Sequence, residues 1–126
     1  MPTAVQGPPV AVSRPELWRI TDRSTFQALR ERGRRTRRGP LTVTWLAPDP
    51  SDDRPPRAGF AIGRPVGGAV TRNRIRRRLR AALRELQASA RLPAGAYLLG
   101  GSAALADLPW PELVELLDAT ITEARS

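Results

Sequence analysis

Hydrophobic positions recur at helical spacing in three stretches of the chain. Between Thr71 and Ala88, the residues Ile75, Leu79, Ala82 and Leu86 fall on one stripe at about 100° per residue, with Leu83 beside it. After Pro109-Trp110-Pro111, Leu113, Leu116, Leu117 and Ile121 repeat the pattern, with proline where a first helical turn tolerates it. An earlier helix has Phe26 and Leu29 on its buried face. Asp22 or Ser24 is its cap, Ser24 and Gln27 have the capping-box spacing, and Gly33 ends it.

Alternation at period two marks strands between these helices. Leu41, Val43 and Trp45 share one face of Leu41–Leu46, and Ala58–Gly63 resumes the pattern after Ala47–Pro56, a loop with four prolines and three aspartates. The two segments together suggest a hairpin with a long loop. Arg34–Arg38, ahead of Gly39-Pro40, reads as a basic edge or a turn. Ala96–Leu99 is a short apolar strand before Gly100-Gly101, and Trp110 between two prolines anchors the last helix start. Residues 1–13 carry no charged side chain, contain three prolines and show no period, so a disordered tail is expected there. Residues 14–126 then form a single domain, since 126 residues support one core. Helix, two or three strands, helix, strand, helix is the order of an α+β fold built as a two-layer α/β sandwich.

Charge narrows the function classes. All 21 basic residues are Arg, against 12 acids, for a net charge of +9. Complete absence of Lys reads as codon bias. Residues 14–91 hold 20 Arg and 7 acids, a net of +13, whereas residues 92–126 hold one Arg and 5 acids, a net of −4. A segregated positive field of this size points to a polyanionic partner. With no Cys and no His, thiol and imidazole catalysis and the usual structural metal sites are excluded. Asp49, Asp52 and Asp53 sit in a proline-rich loop and read as solvated turn residues; no catalytic residue and no protein-bound metal are expected. No apolar run is long enough to span a membrane and no signal-peptide pattern opens the chain, so a cytoplasmic protein without a membrane partner is expected.

The strongest local signal is Thr71-Arg72-Asn73-Arg74-Ile75-Arg76-Arg77-Arg78-Leu79-Arg80. Cations at a helix start oppose the positive end of the macrodipole by several tenths of a kcal/mol each, as a rough scale. No acid lies between Asp53 and Glu85 to offset them. Such an arrangement is relieved by incoming phosphates. On the helical wheel Arg76 and Arg80 lie on one shoulder, Arg74 and Arg78 on the other, and Arg77 and Arg84 face outward.

Arg57-Ala58-Gly59-Phe60-Ala61-Ile62-Gly63-Arg64, then Val66-Gly67, then Ala69-Val70-Thr71-Arg72-Asn73-Arg74-Ile75-Arg76-Arg77 closely resembles the signature of the bacterial ribonuclease P protein subunit. Weaker similarity covers Asp22–Gly33 and Gly95–Ile121. The resemblance implies the accessory subunit of a ribonucleoprotein endoribonuclease that removes the 5′ leader from precursor tRNA, with catalysis by the RNA and Mg2+ at the RNA active site. It implies the catalytic RNA and precursor tRNA as partners, one protein per RNA. The implied fold is α-β-β-β-α-β-α, like the second domain of ribosomal protein S5, with a left-handed β-α-β crossover. Arg72, Asn73, Arg74, Arg77 and Arg78 would dock the catalytic RNA. Phe26, Arg30, Thr44, Trp45, Arg76 and Arg80 would line the leader cleft, with Thr44 and Trp45 as alternatives for the strand position. Arg34, Arg35, Arg37, Arg38 and Arg64 would be further phosphate contacts. Two departures stand out: Arg64-Pro65 replaces a pair of basic residues, and Arg30 replaces an aromatic. A structural ribosomal RNA-binding protein is the alternative reading.

Overall fold

The computed structural model describes residues 18–125, so the expected tail at 1–13 lies outside the described residues. The elements are β1 (Trp18–Arg19), α1 (Arg23–Arg32), β2 (Arg34–Arg38), β3 (Leu41–Leu46), β4 (Arg57–Ala61), α2 (Ala69–Ala88), β5 (Ala96–Gly101) and α3 (Trp110–Arg125). Short 3-10 turns at Arg64–Val66 and Ala103–Ala106 precede α2 and α3.

Among the described residues, five strands form one sheet in the order β1-β4-β5-β3-β2. β4 pairs in parallel with both β1 and β5, while β3 pairs antiparallel with β5 and β2. The hairpin expected of β3 and β4 is therefore not formed: β5 lies between them. Ala96, Tyr97 and Leu99 of β5 are fully buried, and Ala96 and Tyr97 face opposite helical layers. A strand covered on both faces takes the centre of a sheet, and the Ala47–Pro56 loop is long enough to cross its end. The hairpin that does form joins β2 to β3 through Gly39-Pro40. The run Arg34–Arg38 is thus an edge strand, and its charges blunt the open edge.

The two-layer core lies between the sheet and the pair α2 and α3. Leu41, Val43, Ala58, Tyr97 and Leu99 of the sheet meet Ile75, Leu79 and Leu83 of α2 and Leu113, Leu117 and Ile121 of α3. The helical stripe read from the sequence is the buried one: Ile75, Leu79, Ala82, Leu83 and Leu86 each have no exposed surface. Trp110 is half-buried against this core, and its Nε1 donates to Glu85 Oε1 at 3.3 Å.

α1 packs on the opposite face over Ile20 and Ala96 through Leu29 and Phe26. Its cap is Asp22, whose carboxylate accepts from the Thr25 backbone N–H at 2.9 Å. Ser24 donates its hydroxyl to that same carboxylate and Gln27 donates to Glu31, so the capping box does not form. Gly33 ends α1 by donating its N–H to the Leu29 carbonyl at 2.9 Å. Its backbone is extended (φ −71°) rather than left-handed, and glycine is required there by close approach. A Cβ would lie 2.4 Å from the Leu29 carbonyl oxygen and 2.5 Å from Thr44 Cγ2.

Candidate nucleic-acid interface

α2 begins at Gly68 with no side-chain cap and no acid in its first turn. α3 obeys the macrodipole, with Glu112 in its first turn and Arg125 in its last; α2 opposes it. The arginines of α2 fan out from this unfavourable end along two flanks.

On one flank, Arg74 Nε donates to the Ala106 carbonyl at 3.0 Å, and Arg78 donates to the Leu105 carbonyl at 2.7 Å and to the Leu108 carbonyl. On the other, Arg76 donates to the Ile62 carbonyl at 2.9 Å and to Asn73 Oδ1 at 3.0 Å. Arg80 places its guanidinium 5.3 Å from the centre of the Phe60 ring. Partial burial, then the charges of Arg19 and Arg84, lower the pKa of Arg80. Arg72 Nε donates to the Gly67 carbonyl at 3.1 Å. Arg77 is exposed. A guanidinium has five N–H donors. Arg72 and Arg74, bonded through Nε, keep both terminal nitrogens unpartnered among the described residues. Arg78 uses both of its terminal nitrogens on the protein's own carbonyls.

The α1 face of the sheet holds a hollow of about 620 Å³. Arg30 of α1, Arg35 and Arg37 of β2, Thr42 and Thr44 of β3 and Leu98 of β5 line it, with Ala61 of β4, and no acid does. The register explains the selection. Thr36 and Arg38 pair with Val43 and Leu41 on the α3 face, so Arg35 and Arg37 point the other way. Phe26 closes on β4 at Gly59, where a Cβ would lie 2.9 Å from Phe26 Cε1.

Thr44, rather than Trp45, faces this hollow. Trp45 shares the face of Val43, where its Nε1 donates to the Ala94 carbonyl at 3.2 Å and the Arg125 guanidinium stands 6.0 Å from its ring centre. The six residues expected to share one cleft therefore separate. Arg30 and Thr44 meet at the hollow, while Phe26 touches β4 from the α1 face. Arg76 and Arg80 meet β4 from the α2 face, and Trp45 joins neither group. Beyond Ala58, β4 has no β1 partner among the described residues, so the two groups approach an open edge from opposite sides. Of the outlying arginines, Arg64 is exposed in its 3-10 turn and Arg38 pairs with Glu123 at 2.5 Å. Arg34 borders a second hollow beside the Ala47–Pro56 loop.

Buried Arg57 was not legible as a site residue. Its NH1 donates to Thr25 Oγ1 at 3.2 Å and lies 4.0 Å from Asp22, while its NH2 is 3.9 Å from Asp52. Asp52 also accepts from Arg54 Nε and NH2, each at 2.9 Å, and those bonds hold its carboxyl well below the usual range. The loop aspartate is thus an arginine partner. No three described His, Cys, Asp or Glu residues come together as metal ligands.

A family model described as Ribonuclease P matches residues 15–125. The ribonuclease P protein component of Thermobifida fusca is 39% identical over 111 residues, covering 82% of this chain and 73% of that one. That of Acidothermus cellulolyticus is 50% identical over 66 residues, 52% of this chain and 54% of its own, so the match spans about half that relative's length. Among solved structures, the Staphylococcus aureus RNase P protein aligns with a TM-score of 0.70 at 19% identity, covering 87% of this chain and 97% of that one. The last likeness establishes the fold.

Proposed function

This chain belongs to the ribonuclease P protein family, a protein component that partners the ribonuclease P RNA in tRNA processing, and on that premise we propose how its surfaces divide the work. α2 docks the catalytic RNA through Arg72, Asn73, Arg74 and Arg77. The hollow under α1 holds the 5′ leader of precursor tRNA, with Arg30, Arg35 and Arg37 on its phosphates and Thr44 at its floor. Phe26, Arg76 and Arg80 guide the strand across the open edge of β4, and Arg38 and Arg64 add outlying charge. The RNA performs the cleavage, one protein serves one RNA, and Mg2+ at the RNA active site supplies charge neutralisation there.

The observation that carries this reading is the hollow of about 620 Å³ bordered by three arginines and no acid. A single-stranded polyanion gains from such a site because binding releases its counterions. Reconstitution with a bacterial ribonuclease P RNA at low magnesium tests it. The protein should stimulate removal of the leader, and Arg30→Ala with Arg35→Ala should weaken binding of leader-bearing substrate while mature tRNA binds as before. Absence of stimulation would return the chain to a purely structural RNA-binding role.

A further inference from the structure

We propose that the second hollow, beside the Ala47–Pro56 loop, is a phosphate subsite for leader nucleotides farther from the cleavage point than those in the first. The inference rests on the leader-binding reading above. This hollow has a volume of about 410 Å³ and is bordered by Arg32, Arg34, Arg54 and Arg57, together with Asp49 and Asp52. Asp52 does not repel an incoming phosphate freely, because Arg54 holds it through two bonds and Arg57 stands 3.9 Å away. Arg32 and Arg34 are exposed, and neither has a side-chain partner among the described residues. They are the charges available to a ligand.

Position orders the two hollows along one path. Residues adjacent in sequence line both: Arg34 beside Arg35, Trp45 beside Thr44, and Arg32 beside Gly33. Arg34 and Trp45 lie on the opposite sheet face from Arg35 and Thr44, so a strand leaving the first hollow turns round the end of α1 at Gly33 and the start of the edge strand β2, where it meets Arg32 and then Arg34. Strand β4 gives the direction. Arg57 lines the second hollow, Ala61 lines the first, and Ile62 accepts from Arg76 of the basic helix. The second hollow is therefore the one remote from the RNA-docking end of α2.

The test uses the reconstituted holoenzyme and two precursor tRNAs, one with a leader that fills the first hollow and one extended by several nucleotides. Arg32→Glu should reduce affinity for the long leader by about tenfold, and Arg32→Gln should lower its salt slope by roughly one. Both should change the short leader less than about twofold. Thermal melting of each variant confirms the fold. Equal losses on both leaders, or no loss on either, overturn the subsite. A loss in binding of the catalytic RNA without substrate assigns the hollow to that RNA and also overturns it. Failure of the leader reading itself is separate: Arg30→Ala with Arg35→Ala would then leave both leaders unaffected.

Discussion

At Gly33 a single missing Cβ joins helix, strand and hollow. Its N–H closes α1 on the Leu29 carbonyl, and the same close approach brings Thr44 within van der Waals reach of the helix end. Gly33→Ala forces either the Leu29 carbonyl or Thr44 to move. We expect it to destabilise the protein by about 1–3 kcal/mol, read from urea denaturation midpoints. Asp22 makes a second residue-scale prediction, with a sign. Hydrogen bonds from the Thr25 and Ser24 hydroxyls, foremost that of Thr25, hold its carboxyl well below the usual range. A carboxyl with a lowered folded pKa stabilises the protein above its unfolded pKa of about 3.9, and the contribution is lost as pH falls below that value. Asp22→Ala should therefore cost about 1 kcal/mol near neutral pH, as for other helix caps. The gap between variant and parent should narrow in melts taken below about pH 4; a pH-independent gap would mean that the carboxylate charge does not contribute.

At the scale of elements, two arginines on the same flank of α2 do different work. Arg78 grips the turn before α3 through the Leu105 and Leu108 carbonyls, and these bracket the Ala106 carbonyl that receives Arg74 Nε. The turn carbonyls satisfied in this way face α2, and a half-buried carbonyl left unpaired costs on the order of 1–3 kcal/mol. Arg78→Ala should thus lower the melting temperature, whereas its effect on the salt slope of RNA binding should be small. Arg74→Ala should do the reverse, weakening association with the catalytic RNA and lowering the slope by roughly one. Titrating both variants across ionic strength separates the roles. A slope change for Arg78→Ala equal to that for Arg74→Ala would place both on phosphate.

Across the whole molecule, the positive charge is concentrated before residue 92 and the acidic surplus after it. α3 takes the acidic part to the face behind the core, where Asp118 pairs with Arg91 at 3.0 Å and Glu123 pairs with Arg38. Such exposed pairs contribute little to stability, at most about 1 kcal/mol each. Their effect is on the field, since they withhold few of the arginines of α1, β2 and α2. Binding to RNA should therefore weaken by about two or more orders of magnitude between roughly 50 and 200 mM salt if several phosphates are neutralised. A fluorescence titration series measures this, and a nearly flat response would indicate apolar recognition instead.

The helical stripes of α2 and α3, the period-two face of β3 and the charged start of α2 were determined by sequence alone. Each depends on neighbours within one or two turns or strand steps, and Ile75, Leu79, Leu113 and Leu117 are buried as their spacing demands. The segregation of charge and the Arg-Asn-Arg segment identified the partner class for the same reason. Strand order was a tertiary decision, because the place of β5 between β3 and β4 depends on which strand can be covered on both faces. The sequence left Arg34–Arg38 open between a basic edge and a turn, since a run of arginines has no apolar alternation and takes its register from β3. Periodicity could not choose between Thr44 and Trp45, for the face toward α1 exists only once α1 has docked. The separation of Arg76 and Arg80 from Arg30, and the meeting of Arg57 with Asp22 and Asp52, depend on contacts between residues distant in the chain. No local pattern encodes such contacts; only the packed sheet brings them together.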